Sequence, residues 1–382
     1  MDTQEQAKET AYQYNDYARE FRQRSQPYWA TALDFAAGSG PAPKQPYQVE
    51  IHPQLEGAPV CLLRCIDCHG QFQRRKGGLS AQAYYQLLED LQIMGVPSVV
   101  YSGIYSDPTT DSDLLCELLR RGGPHWGVKL HTYGLGLNED LCRAIVFAAT
   151  VGPPRSSYLT ISKVTTDPQV YQEMCRPTID PEVALAREEA NLRRLFTINQ
   201  EAHAPLTVHL NCRVTQANGS PEQLANLLLW LRTTPPWVQL RFTPDYVPTG
   251  ASSAYCEKFM RTVYLDGPTV LHRLRDATLQ TNLNPTSRIS FRDVDGTCYQ
   301  GPRCYSSLLL AAVSTTGCVY PCQSIASAVH QPMAYGNLYH ERFPTIWQRF
   351  TSTWAQRPSC VCTPCPAACE KQLNLAFQEE LG

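Results

Sequence analysis

The stretch that decides the fold reads Cys61-Leu62-Leu63-Arg64-Cys65-Ile66-Asp67-Cys68, with three cysteines within eight residues. It follows an alternating segment, Tyr47-Gln-Val-Glu-Ile-His52, whose pattern predicts a β-strand. Three thiolates on one short loop can hold three irons of a cubane [4Fe–4S] cluster and leave the fourth iron without a protein ligand. A structural zinc site needs four ligands, which this loop does not supply. The stretch therefore predicts an iron–sulfur cluster with one open iron.

Length, charge and hydropathy limit the class of protein. The chain has 382 residues, with 33 Lys and Arg against 35 Asp and Glu. It can bury a large core, and its charge gives no reason to expect nucleic acid or a membrane surface as a partner. The polar segment Met1–Thr10 does not resemble a secretory signal, and apolar runs such as Leu308–Val313 are far below the roughly 20 residues of a membrane span. We expect a cytoplasmic protein.

The sixteen cysteines are unevenly distributed. Three lie in residues 61–68, eight in residues 298–369, and five are scattered between them. A disulfide framework is not expected in a large chain without an export signal. The two dense groups indicate metal, whereas we expect the five scattered cysteines to be small buried apolar residues.

Strands and helices alternate along the central part of the chain. An amphipathic helix is predicted within residues 1–26, and a Gly- and Pro-rich linker, Phe35–Pro46, precedes the first strand. The predicted strands are Tyr47–His52, Ser98–Ser102, Val128–Tyr133, Tyr158–Ser162, Leu206–Val214 and Val238–Thr243. The predicted helices between them are Ser80–Met94, Ser112–Arg121, Asn138–Ala149, Pro181–Ile198 and Pro221–Leu231. Successive β-then-α units require a parallel sheet, with the active site at the carboxyl ends of the strands.

The Cys-x3-Cys-x2-Cys spacing at the head of this series resembles the radical S-adenosylmethionine (SAM) superfamily. The resemblance implies a three-quarter (β/α)6 barrel over residues 47–250 and a [4Fe–4S] cluster held by Cys61, Cys65 and Cys68. It further implies that SAM chelates the open iron. By the same resemblance, an electron from the cluster would then split SAM into methionine and a 5′-deoxyadenosyl radical, and an external reductant of the flavodoxin or ferredoxin type would supply that electron.

The loops after the strands are similar to the SAM-binding loops of that superfamily. The stretch Ser102–Thr109 stands where the superfamily has Gly-Gly-Glu-Pro, but it is one or two residues longer. Asp107 either replaces the missing Glu or caps the next helix. Thr132-Tyr133-Gly134 corresponds to Thr-Asn-Gly, and Ser162-Lys163 stands where polar side chains reach the SAM carboxylate and ribose. The implied cofactor-binding residues are Ser102, Gly103, Tyr105, Asp107, Thr132, Ser162, Lys163, Arg176 and Arg213.

Residues 298–382 resemble the SPASM/twitch extension of the superfamily, joined by a connecting segment, residues 251–297. The signs are Gly317-Cys-Val-Tyr-Pro-Cys322, the turn Gly336-Asn-Leu, and a terminal group of closely spaced cysteines. The resemblance implies an auxiliary [4Fe–4S] cluster held by Cys298, Cys304, Cys322 and Cys369. A second cluster on Cys318, Cys360, Cys362 and Cys365 stays open, because no cysteine follows Cys369. The alternative is zinc held by Cys360, Cys362, Cys365 and Cys369.

The resemblance implies an enzyme in which the deoxyadenosyl radical takes hydrogen from an unactivated carbon. Oxidation, epimerisation, elimination and cross-linking all stay open as outcomes, and the sequence assigns no hydrogen-donor residue. Cationic groups near the strand ends favour a compact polar substrate such as a sugar or nucleoside. These groups are Lys129, His131, Lys163, Arg176, Arg213 and Arg241. A ribosomal peptide is the rival, although the preamble is too short for a peptide-binding domain, and an iron–sulfur electron carrier is the alternative of another class.

Overall fold

The computed structural model describes residues 13–14, 17–58, 61–66, 68, 78–103, 106–154, 156–245, 253–281, 288–291, 303–326, 333–356 and 368–382. Several predicted site residues lie outside this part of the chain, namely Tyr105, Cys298, Cys360, Cys362 and Cys365. Cys369 is described in its backbone only.

The described strands form one eleven-stranded sheet in the order β1-β8-β7-β6-β5-β4-β3-β2-β9-β10-β11. The strands are β1 Gln13–Tyr14, β2 Gln48–Ile51, β3 Ser98–Tyr101, β4 Lys129–Thr132, β5 Tyr158–Ser162, β6 Thr207–Val214, β7 Val238–Pro244, β8 Ile289–Phe291, β9 Leu310–Val313, β10 Cys318–Tyr320 and β11 Gly336–Asn337. Strands β2 to β7 are neighbours in chain order and pair in parallel. The predicted α/β fold with six parallel strands is therefore confirmed.

The helices join these strands and cover one face of the sheet. They are α1 Tyr17–Arg24, α2 Gln26–Ala36, α3 Ala81–Met94, α4 Ser112–Trp126, α5 Glu139–Val151, α6 Pro168–Cys175, α7 Pro181–Glu201, α8 Pro221–Arg232, α9 Ser253–Thr262, α10 Gly267–Thr281, α11 Phe343–Thr353 and α12 Ala368–Leu381. In β6 the apolar residues Val208, Leu210 and Cys212 are fully buried and belong to the main core. No helix in the described part of the chain is long and apolar enough to cross a membrane.

The other face of the sheet carries polar side chains, because side chains alternate along each strand. Asn211 pairs in register with both Ser162 and Arg241, so these residues share a face. We call this surface the polar face. Its members are Glu50, His52, Ser102, Lys129, His131, Tyr158, Ser162, His209, Asn211 and Arg241.

Helix α4 differs from its prediction. It continues through Gly122-Gly123 to Trp126, whereas the sequence predicted an end at Arg121. The glycines serve packing, since a Cβ on Gly123 would lie 2.8 Å from the Cβ of Ala148 on α5. The helix ends instead at Gly127, whose φ of 65° suits glycine.

The N-terminal prediction is wrong in part. Gln13–Tyr14 form a strand that pairs with β8, and the first described helix begins at Tyr17. Helix α2, which was not predicted, packs Trp29 against Phe377 of α12, with ring centroids 3.9 Å apart. Residues near the two ends of the chain therefore stabilise each other.

The C-terminal segment extends the same sheet. Strand β9 pairs in parallel with β2, with Val49 opposite Ala311, and β10 and β11 follow in antiparallel order. This pairing places the turn after Cys322 beside the strand that leads into the first cysteine loop.

Candidate active site

The loop Cys61–Cys68 follows β2 and is held through its backbone. The amide of Arg64 donates to the Cys175 carbonyl at 2.8 Å, and that of Ile66 donates to the Met174 carbonyl at 2.9 Å. The amide of Thr178 in turn donates to the Leu62 carbonyl at 2.9 Å. The end of α6 therefore fixes the path of the loop.

Sequence reasoning missed α6, although its start carries a recognisable signal. Asp167 accepts hydrogen bonds from the amides of Gln169 and Val170, and Pro168 takes the first helical position. The short helix leads directly into Arg176, an exposed residue with a φ of 44°. Arg176 thus lies beside the loop, at the turn where α6 ends.

A second support comes from α9, within the segment that the sequence predicted as a connection. The hydroxyl of Tyr255 donates to the carbonyl of Ile66. The guanidinium of Arg64 donates to the Cys61 carbonyl at 3.1 Å. Backbone groups between Cys61 and Ile66 are thus bound from two sides.

The three thiols of the loop lie in an apolar setting. Cys65 is buried, and Cys61 and Cys68 are half-buried against a small core that includes Leu63 and Tyr171. Burial raises the pKa of the Cys61 thiol, and the charges of Asp107, Cys65 and Cys68 raise it further. A set of thiolates in such a place needs a cation to compensate its charge.

Asp107 links the loop after β3 to the loop after β4. Its carboxylate accepts from the Thr132 hydroxyl at 2.8 and 2.9 Å and from the Tyr133 amide at 2.6 Å. It also caps the turn Pro108–Thr110 by accepting from the Thr109 amide at 2.9 Å. The capping alternative is thus present in the structure. Through these hydrogen bonds Asp107 holds Thr132 next to the loop that follows β3.

Gly103 lies in the same loop, where the chain passes very close to itself. A Cβ at this position would lie 1.7 Å from the carbonyl oxygen of Ser106. Only glycine allows this approach. Nearby, the guanidinium of Arg213 donates to the Tyr133 hydroxyl, which places Arg213 over the same pair of loops.

Lys163 is not brought to the polar face. Ser162 pairs with Asn211 on that face, so the next side chain points to the helices. Lys163 lies 2.9 Å from Glu188 of α7, each side chain is 1% exposed, and its ammonium lies 5.0 Å from the ring of Trp230. The structure therefore separates Lys163 from the other predicted SAM-binding residues.

The polar face contains a buried carboxylate–imidazole pair that sequence reasoning missed. The Nε2 atom of His52 lies 3.2 Å from Oε1 of Glu50. The signal in the sequence was the alternation of charged residues with Val49 and Ile51 in β2. Lys129 of the predicted cationic set donates to the Ser98 hydroxyl at 2.8 Å, and burial lowers its pKa to about 8.

Comparison with known proteins identifies the fold. No family model matches the sequence, and no curated protein matches it. Streptococcus suis SuiB bound to S-adenosylmethionine is 16% identical, with a TM-score of 0.53 over 87% of this chain and 72% of SuiB. The structure of anSMEcpe with bound AdoMet and Cp18Cys peptide is 13% identical, with a TM-score of 0.51 over 79% and 80%. The chain shares the fold of these two SAM-bound proteins.

The donor set of the first loop fits a cubane iron–sulfur cluster, in which three thiolates can each bind one iron. Within the described ranges, no three His, Cys, Asp or Glu side chains converge closely enough to share one ion. The cysteine sulfurs that bind a cubane can lie farther apart than the ligands of a single ion, because each cysteine binds a different iron atom. The fixed loop and its buried thiols suit that larger group.

The C-terminal cysteines are less closely grouped. Cys318 and Cys322 are buried in a small core with Ile325, and the amide of Asn337 lies 3.2 Å from the Cys318 sulfur. Cys304 instead lies near α12, with its sulfur 3.9 Å from the amide nitrogen of Asn374. Cys369 is in the first turn of the same helix.

Proposed function

We propose that this chain is a radical SAM enzyme that cleaves SAM reductively and abstracts hydrogen from an unactivated carbon of a small polar molecule. The observation that carries the proposal is the fixed loop of Cys61, Cys65 and Cys68 at the carboxyl end of β2, beside the polar face. An electron carrier needs neither a cluster with an open iron nor a parallel sheet with a polar face at its strand ends.

Each part of the site has a separate role in this proposal. Cys61, Cys65 and Cys68 would hold a [4Fe–4S] cluster, which supplies the electron that cleaves SAM. The loops around Gly103 and Thr132 would line the SAM site, with Asp107 as the residue that fixes both. Arg213 lies above them and can bind a carboxylate.

The finer features of the fold belong to the same proposal. Strands β2 to β7 would form the three-quarter barrel of the superfamily, with the polar face toward the substrate. Cys304 and Cys322 would hold an auxiliary cluster together with Cys298 and Cys369. A second auxiliary cluster would use Cys318, Cys360, Cys362 and Cys365. The electron would come from a flavodoxin- or ferredoxin-type reductant.

The polar face supports a compact, hydroxyl-rich substrate such as a sugar or nucleoside derivative. It combines the anionic Glu50 with Arg241 and several imidazoles, so it offers both donors and acceptors. Such groups orient a ligand strongly when water is excluded. The rival is a peptide, which is favoured by the structural likeness to anSMEcpe with its bound Cp18Cys peptide.

The test measures the transfer of deuterium from substrate carbon into 5′-deoxyadenosine. The reconstituted protein, SAM and dithionite are incubated anaerobically with a carbon-deuterated metabolite extract of the source organism, or with deuterated peptides encoded beside the gene. Label from a small metabolite supports the proposal. Label from a peptide alone overturns the choice of substrate, and the absence of any 5′-deoxyadenosine overturns the enzyme class.

A further inference from the structure

The inference concerns Glu50 in β2 and His52 directly after that strand. The amide of His52 still donates to the Val313 carbonyl of β9 at 3.0 Å, so the two side chains, two positions apart, point to the same face. The His52 side chain is fully buried, and that of Glu50 is 9% exposed. Their 3.2 Å contact joins Oε1 of Glu50 to Nε2 of His52. The pair lies at the end of the strand that leads into the cysteine loop.

Several groups hold Glu50 as an anion. Burial raises its pKa, but the hydrogen bond from His52, the charges of His52 and His131 and a hydrogen bond from Ser102 together bring it below the ordinary value. Gln323, with its amide nitrogen turned toward Glu50, donates to both carboxylate oxygens at 2.7 and 3.1 Å. Gln323 directly follows Cys322, so the C-terminal segment contributes to this arrangement.

The anion determines the tautomer of His52. A carboxylate can only accept, so in the neutral imidazole Nε2 carries the hydrogen and Nδ1 is left with a lone pair. Nδ1 is buried and has no hydrogen-bond partner within the part of the chain that the structure describes. A buried acceptor without a donor is destabilising, because no hydrogen bond compensates the loss of its contact with water. A bound molecule with an O–H or N–H group would supply the missing donor.

We propose that Nδ1 of His52 binds an O–H or N–H group of the substrate and accepts its proton, with Glu50 as the residue that orients the imidazole. This inference rests on the proposed function, because it places the group on the carbon that loses hydrogen. After that loss, the heteroatom–hydrogen bond breaks and an Nδ1–H bond forms. The electron pair of the broken bond stays on the heteroatom, and Glu50 stabilises the resulting imidazolium. The step is a proton transfer and needs no oxidant.

The acidity of the substrate's hydroxyl or amine group determines when this proton transfer occurs in the reaction. A hydroxyl or amine hydrogen becomes more acidic when the adjacent carbon carries an unpaired electron, because the deprotonated form delocalises that electron. His52 therefore acts after hydrogen abstraction and not before it. The substrate class is narrowed to molecules with an alcohol or amine on the reacting carbon, such as a sugar or an amino sugar.

The test separates hydrogen abstraction from the later step. In His52→Gln the new amide nitrogen can still donate to Glu50, and the amide oxygen can accept a hydrogen bond but is too weak a base to take up the proton. With the deuterated extract as probe, we expect labelled 5′-deoxyadenosine to form in the variant, while conversion of the labelled metabolite falls about 10²–10⁴-fold, the typical contribution of general base catalysis. Iron content and the rise in melting temperature on adding the extract should match wild type.

Controls make each outcome decisive. His272→Gln, on the exposed side of α10, should convert the metabolite as wild type does. Equal conversion by His52→Gln and wild type would overturn this inference while the proposed function stands. If wild type itself yields no labelled 5′-deoxyadenosine, the proposed function fails and this inference fails with it. If His52→Gln does not fold, Glu50→Gln replaces it, because a neutral amide does not stabilise the imidazolium of His52. Slower conversion with unchanged 5′-deoxyadenosine formation then supports the inference, and an unchanged conversion rate contradicts it.

Discussion

The first cysteine loop and the C-terminal cysteines are built in different ways. Cys61, Cys65 and Cys68 lie within eight residues on one loop, whose backbone is bound by α6 and α9. Cys318 instead begins β10 and Cys322 follows that strand, while Cys304 lies near Asn374 of α12. The first site is thus encoded by a short stretch and shaped locally, whereas the second depends on strands and a helix that are distant in sequence.

We expect the largest effect from a variant that removes the ligands of the first cysteine loop alone. In the triple variant Cys61→Ala, Cys65→Ala, Cys68→Ala we expect SAM cleavage to be lost, together with about four irons per chain, the content of one cubane. Iron analysis and 5′-deoxyadenosine assays measure both. A matched triple variant of the buried residues Cys116, Cys142 and Cys212, each changed to Ala, should keep its iron. Cleavage retained in the first triple would refute the assignment.

The second prediction concerns a variant that removes two of the C-terminal cysteines. Wild type should hold about eight irons with one auxiliary cluster or about twelve with two, at four per cubane. Changing Cys304 and Cys322 to Ala should remove about four of these and leave substrate-independent SAM cleavage in place. Iron and zinc are both measured by elemental analysis. A wild-type iron content near four, or stoichiometric zinc, would contradict the auxiliary cluster.

The first cysteine loop could be predicted from sequence because the residues that define it are close together in the chain. The cysteine spacing and the alternation of strands such as Tyr158–Ser162 identified the loop and the parallel sheet. Lys163 shows the limit of such local prediction. It directly follows Ser162, and neighbouring residues along a strand point to opposite faces of the sheet. Glu188, on a helix later in the chain, then decides its environment.

Contacts between distant segments could not be predicted. Gln323 reaches Glu50 only because β9 pairs with β2, and no local pattern in either segment specifies that pairing. Helix α6 is too short for hydrophobic periodicity to reveal, so its hold on the cysteine loop was also missed.

A smaller effect tests the interior behind the first loop. Lys163→Met leaves Glu188 as a buried, unpaired charge, so we expect a loss of about 3–5 kcal/mol in the free energy of unfolding. The double variant Lys163→Met, Glu188→Leu should recover most of that loss, because no charge remains buried. Urea unfolding followed by circular dichroism measures both. A stable single variant with weaker SAM binding would show instead that Lys163 contacts the cofactor.

The smallest expected effect tests the support from α9. Tyr255→Phe removes one hydrogen bond to the Ile66 carbonyl, a contact worth about 1 kcal/mol, while the ring contact with Phe259 stays. The cysteine loop should then open more often, so iron should pass to a chelator roughly five times faster, as 1 kcal/mol implies. The signal of the SAM-bound cluster in electron paramagnetic resonance should also shift, because the loop relaxes. Tyr85→Phe, on α3, serves as the matched control and should change neither quantity. If the two variants release iron at equal rates, the loop is held by α6 alone, and its local character is stronger than the contact with α9 suggests.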